Sequence, residues 1–285
     1  MRSKEIIKKI FKRLTRQKVV PEYIPVVMGE LLENRTILIT GGIGGIGVEL
    51  TKACLRNGAS VVITSRNEKK LKECLPELNK CKNSEKQKII CVELDINNVD
   101  SMKNIFNKIV KDNSLKNIDT LINNAGVAIG GIIGTTKEEE FDKTITTNLK
   151  GTYFLSQEFA NYLIKENIQG NILNISSVSG IRPAITPYML SKHSLIGLTE
   201  GLAKKLIKYG IVVNGIAPGP TVTDMIGVKG NDLYYQNSPA QRYVDPVEVA
   251  NLAVYLISKM GKMIVGDTVY ISGGCGNLTR DDIMY

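Results

Sequence analysis

The sequence predicts an α/β fold: a doubly wound parallel sheet of about seven strands with helices on both faces. Three observations carry that prediction. From residue 35 onward, short apolar runs alternate with longer helical patterns, and such alternation joins parallel strands by right-handed crossovers. The strand candidates are apolar without a break, as in Ile37-Leu38-Ile39, which suits a sheet covered on both sides. Finally, a glycine-rich segment, Thr40-Gly41-Gly42-Ile43-Gly44-Gly45-Ile46-Gly47, stands between the first strand and the first helix.

Taken in order, the expected strands are Thr36–Thr40, Ser60–Thr64, Lys88–Leu94, Ile118–Ile122, Gly170–Ile175, Ile211–Ile216 and Thr268–Ile271. Helical patterns fall between them, among others over Ile46–Asn57, Asn67–Lys80 and Pro187–Lys208. Ahead of all these, Ile6, Ile7, Ile10, Phe11 and Leu14 form one apolar stripe surrounded by lysine and arginine, the pattern of an amphipathic helix. Pro21 and Pro25 end it and begin an extended connector. Residues 1–33 are therefore expected to form a basic helix with its connector, and residues 34–285 a single domain.

The chain has 285 residues, 43% of them apolar, enough for one large core. Its net charge is +9, but residues 1–18 hold eight basic side chains against Glu5 alone, so +7 belongs to that segment. The body is nearly neutral, which excludes a basic nucleic-acid-binding face. The helix within residues 4–18 has two functional readings, peripheral contact with an anionic membrane or docking on a partner. A bland one stands beside them, packing on its own or a sister subunit. No run reaches the roughly 18 apolar residues of a membrane span, and no signal-peptide pattern opens the chain. Five cysteines form no C-x-x-C pair, as in a reduced, cytoplasmic protein. With His193 the single histidine, no metal site is expected.

Glycines directly after a strand and opening a helix let backbone N–H groups approach a pyrophosphate at the positive helix end. Strand two ends in Thr64-Ser65-Arg66-Asn67. An acid there would hold the ribose hydroxyls of NAD; a guanidinium instead forks onto phosphate oxygens. NADP(H) is thus the preferred cofactor, with NAD(H) the alternative. At the other end of the chain, Tyr188 and Lys192 stand four apart at a helix start and share one face. A phenol with an ordinary pKa of about 10 is a poor base at neutral pH. An ammonium about 4 Å away, worth roughly 4 kcal/mol at an effective dielectric of about 20, is expected to draw it towards the working pH.

The spacing of Thr40–Gly47 resembles that of the short-chain dehydrogenase/reductase family. Further matches follow in order: Asp95, Asn123-Asn124-Ala125-Gly126, Asn148, Ser176-Ser177, Tyr188-x-x-x-Lys192, Asn214, Pro218-Gly219 and Thr223. The similarity covers roughly residues 34–274. It implies a Rossmann sheet, an NAD(P)-dependent oxidoreductase and a homodimer or homotetramer. It also implies a tetrad in which Ser177 polarises the substrate oxygen and Tyr188 moves the proton. In that tetrad Lys192 also holds the nicotinamide ribose, and Asn148 kinks its helix and holds a water linking Lys192 to solvent. Gly41, Gly42, Ile43, Gly44, Gly45, Ile46, Ser65, Arg66, Asp95, Ile96, Asn123, Ala125, Gly126, Pro218, Gly219, Thr221 and Thr223 are the implied cofactor residues, together with Tyr188 and Lys192.

Two departures stand out. Many NADP-preferring relatives carry a basic residue where this chain has Gly44, and Ser177 and Tyr188 are closer in sequence than is common. Substrate loops are expected over Gly180–Pro187 and Thr221–Tyr243, with Arg182 and Arg242 as candidate receivers of an anionic or carrier-linked group. The implied activity is ketone reduction or secondary-alcohol oxidation, similar to 3-oxoacyl-carrier-protein reductases or sugar and polyol dehydrogenases. A non-catalytic dinucleotide-binding protein is the alternative; it predicts a damaged tetrad, whereas this one is intact. His193, about 100° around the helix from Lys192, is read as a surface or packing residue.

Overall fold

The computed structural model describes residues 29–112, 115, 117–223, 225, 233–276 and 278. The segment expected to form a basic N-terminal helix and part of the expected second substrate loop, including Lys229–Asp232, lie outside them. The strands are β1 (Thr36–Thr40), β2 (Ser60–Ser65), β3 (Ile89–Glu93), β4 (Thr120–Asn123), β5 (Gly170–Ile175), β6 (Ile211–Pro218) and β7 (Thr268–Ile271). The helices between them are α1 (Ile46–Arg56), α2 (Glu68–Asn79), α3 (Val99–Val110), α4 (Glu138–Ile145), α5 (Thr152–Lys165), α6 (Pro187–Leu206) and α7 (Pro246–Ile257). A π-helix, Thr146–Gly151, joins α4 to α5.

All seven strands are parallel, in the order β3-β2-β1-β4-β5-β6-β7. The chain winds outward from β1 on one side and from β4 on the other, which opens a crevice at the carboxyl ends between them. The unbroken apolar strands follow from two cores. Ile37 and Ile39 of β1 face Leu50 and Leu55 of α1 and Val249 and Val254 of α7. Leu38, between them, faces Met102, Phe106, Leu155 and Phe159 on the opposite side.

Most element limits match the sequence reading to within two residues. Helix α6 starts where Thr186 caps it, accepting the Met189 N–H at 3.1 Å, with Pro187 at the first position. It ends at Leu206 rather than Lys208, tightening into a 3-10 turn that Gly210 closes at φ 72°. The end of the expected connector packs on the sheet. Leu32 is fully buried in the core, and its N–H donates to the Asn57 carbonyl at 2.8 Å.

At the amino ends of the strands, Arg35 ties the sheet together. Its guanidinium bonds Asp119, Thr120 and Asn171, each at 2.6 Å, and the Ile257 carbonyl at 3.1 Å. Arg35→Met leaves the half-buried Asp119 carboxylate without its counter-charge, and should cost about 2 kcal/mol. Urea unfolding measures this; a curve superimposed on that of the unaltered protein removes the clamp from the account of stability.

Candidate active site

A cavity of about 540 Å³ opens at the carboxyl ends of the strands. Its first wall is the glycine loop, where Gly41 and Gly45 take positive φ of 64° and 46°, conformations that side chains resist. A Cβ on Gly47 would collide with the Gly41 carbonyl oxygen, and one on Gly45 would lie 3.0 Å from Thr223 Cγ2. No side chain caps α1, although the Gly47 N–H donates to the Gly44 carbonyl at 2.7 Å; an uncapped helix start beside the cavity suits a phosphate.

Gly41, Ile43, Gly44, Gly45, Ile46, Ser65, Arg66, Asp95, Ile96, Ala125, Gly126, Tyr188, Lys192 and Thr223 all line this one cavity. The other expected cofactor residues do not. Gly42 packs on Ile63, 2.8 Å from where its Cβ would stand. Asn123 is buried, its amide donating to Ser156 and Asn174 at 2.9 and 2.8 Å. Pro218 ends the buried strand β6. The Gly219 N–H donates to the Ile271 carbonyl at 2.9 Å, and the Thr221 hydroxyl to the Gly219 carbonyl, also at 2.9 Å. These residues support the wall from behind.

The cavity also takes in Asn124 and Ser176, which entered the sequence reading only as parts of matching motifs, and residues it missed, among them Lys70, Val127, Thr147 and Met225. The one available signal was that Lys70 follows closely on Arg66, in the first turn of the helix after β2. Another missed residue is Thr40, whose hydroxyl accepts the N–H groups of Asn124 and Ala125, both at 3.0 Å.

At the chemical end, Lys192 is buried and donates to the Ile175 carbonyl at 2.8 Å. The Ser176 hydroxyl donates to the Lys192 carbonyl at 2.8 Å. Next in sequence, the Ser177 side chain stands close enough to the Tyr188 phenol to favour its ionised form. Asn148 lies within the π-helix, a rare widened turn that is frequent at functional sites. Its amide brackets Val127, accepting from the N–H and donating to the carbonyl at 2.8 Å each, and donates to the Ser191 hydroxyl at 2.9 Å. Ser191 passes the link to the Tyr188 carbonyl at 2.7 Å.

The electrostatics differ from the sequence expectation. Burial pushes the Tyr188 phenol above its ordinary pKa, with the Ser177 hydrogen bond pulling the other way. Lys192 Nζ stands 5.7 Å from the ring centroid, and burial draws its own pKa down to about 8. Desolvation disfavours the charged form of both groups and outweighs their mutual attraction here.

Arg242 is not free to receive an anion. It forks onto Glu248 at 2.8 and 2.7 Å, and this pairing takes the Glu248 carboxyl down to about 2. Arg182 and His193 are exposed. No helix of the described residues is long and apolar enough to cross a membrane.

The profile for short chain dehydrogenase matches residues 35–233. The chain belongs to the short-chain dehydrogenase family. It is 34% identical over 246 residues to a 3-oxoacyl-[acyl-carrier-protein] reductase of Rickettsia typhi, covering 85% of this chain and 96% of the relative. A 3-oxoacyl-[acyl-carrier protein] reductase from Brucella melitensis with bound NAD superposes with a TM-score of 0.76 at 26% identity, over 92% of this chain and 99% of that one. The NADP-bound structure of ElxO superposes with a TM-score of 0.74 at 31% identity, over 85% and 98%. As a short-chain dehydrogenase, this chain is an NAD(P)-dependent oxidoreductase acting on a ketone or an alcohol.

The buried lysine has a cost in stability that depends on pH. The unfolded side chain holds its proton up to about 10.5, the folded one only to about 8. Between those values folding releases a proton, so stability rises with pH across that window, and below about 8 the penalty is complete. Lys192→Met should therefore be more stable than the unaltered protein at pH 7, by up to about 3 kcal/mol. The advantage should fade as pH climbs from 8 towards 10.5. Urea unfolding at pH 7 and pH 10 decides it: an equal difference at both, or none at pH 7, contradicts this reading.

Proposed function

We propose that this short-chain dehydrogenase is an NADP(H)-dependent reductase of 3-oxoacyl groups, which in reverse oxidises the corresponding secondary alcohol. The observation that carries the reading is the Tyr188 phenol, beside Ser177, lining one cavity with Lys192 and the glycine loop. When bound, the dinucleotide supplies or accepts the hydride. The chain's own residues do the rest. Ser177 holds the substrate oxygen, and Tyr188 donates a proton to it in reduction or removes one in oxidation. Lys192 places positive charge beside the phenol and the nicotinamide ribose. Asn148, bracketing Val127 and tied through Ser191 to Tyr188, keeps α6 and the loop after β4 at fixed separation and supports a water path to Lys192.

Arg66, with no acid at the end of β2, supports NADP(H) over NAD(H). The glycine cradle and the uncapped start of α1 fit a pyrophosphate. An acyl substrate, rather than a sugar or polyol, is favoured by exposed apolar residues on the segment leading into α6 and on the one paired with it. There Ile132, Ile133 and Ile185 are 53%, 79% and 48% exposed, and the Ile133 N–H donates to the Ile185 carbonyl at 3.1 Å. Exposed Tyr153 on α5 and Leu190 on α6 support a homodimer or homotetramer. The free cysteines suit a cytoplasmic setting, and peripheral membrane contact remains a proposal for residues 4–18, testable by vesicle co-sedimentation.

Turnover of an acetoacetyl thioester, followed by loss of NADPH absorbance, tests the assignment. Tyr188→Phe should lower the rate roughly 10²- to 10⁴-fold while leaving NADPH affinity within about twofold, since the phenol's hydroxyl alone is removed. Retained turnover takes Tyr188 out of the proton step.

A further inference from the structure

We propose that Lys70 is the second cation of the 2′-phosphate site, standing on α2 where the glycine loop supplies none. The proposal rests on the NADP(H) reading and extends it to a residue outside the motif.

The lysines of α2 and its C-cap divide into two groups. Lys69 pairs with Glu73 at 3.9 Å, Lys72 with Glu68 at 2.7 Å and Lys80 with Glu77 at 2.6 Å. Among the described residues Lys70 has no ion-pair partner, and neither has Arg66. These two are also the cations that line the cavity at its β2 end. Asp95 is the one acid among the lining residues, and its carboxylate accepts the Asn97 N–H at 3.0 Å.

Local geometry holds Lys70 in place. Asn67 caps α2, its side-chain oxygen accepting the Lys70 N–H at 2.9 Å, which sets Lys70 in the first turn. A cation in the first turn opposes the helix dipole. A dianionic phosphate there would meet a guanidinium, an ammonium and the positive helix end together. Across the crevice, a Cβ on Gly44 would meet nothing within 4 Å, so the loop leaves that side open and uncharged. The charge that discriminates the phosphorylated ribose therefore comes from one helix start, four residues apart.

Dissociation constants for NADPH and NADH, read from nicotinamide fluorescence, test this without any substrate. Lys70→Gln should weaken NADPH about fivefold, the scale of about 1 kcal/mol for an exposed charge pair, with NADH unchanged within about twofold. Lys70→Arg should keep the preference, and Lys69→Gln, which removes an already paired neighbour, should change neither nucleotide. Raising ionic strength from 0.1 to 1 M, which shortens the screening length from about 10 to about 3 Å, should erase the difference between the unaltered protein and Lys70→Gln. Equal weakening of both nucleotides, no weakening of either, or the same loss in Lys69→Gln overturns the proposal. If the unaltered protein favours NADH, or binds neither nucleotide, the NADP(H) reading fails and Lys70 falls with it.

Discussion

A lysine kept inside the protein is the constraint around which this site is arranged. Lys192 has lost its hydration, so the fold must hold it by other means, and three consecutive residues at the end of β5 do so. Ile175 accepts from its ammonium, Ser176 donates to its backbone carbonyl, and Ser177 stands beside the phenol one turn back on the same helix. Ser177, Tyr188 and Lys192 are thus positioned by the seating of one helix on one strand end. Beneath that contact runs a second set of buried bonds. Asn123 of β4 donates to Asn174 of β5, and Asn174 donates to Thr199 of α6, at 2.8 and 2.9 Å. Satisfied buried amides of this kind specify one arrangement of their elements, because any slip leaves a polar group unpaired.

Much of this could be read from the residues alone. β1, β5 and β7 run between the residues expected, because each apolar run is bounded by turn-forming or charged neighbours. The glycine loop and the Tyr188–Lys192 pair were legible because their spacing is local. What escaped was non-local or energetic. Thr40 serves the loop after β4, more than eighty residues away in sequence, and no pattern within either segment announces it. The pKa expectation for Tyr188 weighed the attraction of a lysine and had no means to weigh burial. Arg242 looked available because Glu248, six residues on, was not read as its partner.

The substrate side is tethered at its root. The loop after β6 is bridged from Thr221 to Val244 and from Tyr234 to Arg242. The rings of Tyr235 and Tyr243 stack at 4.4 Å. Arg242 then fastens this base to the first turn of α7, where Glu248 also completes the cap of the helix by accepting the Asp245 N–H at 2.9 Å. One carboxylate therefore serves both the helix start and the foot of the loop.

The double duty of the Thr40 hydroxyl has a mechanical result. By receiving two successive N–H groups from the segment beyond β4, it welds the opposing walls of the crevice into one piece at their root. The gauge of the slot is then set when the sheet assembles. Any widening for a large molecule to enter has to come from the far lip, where Thr223 leans across Gly45.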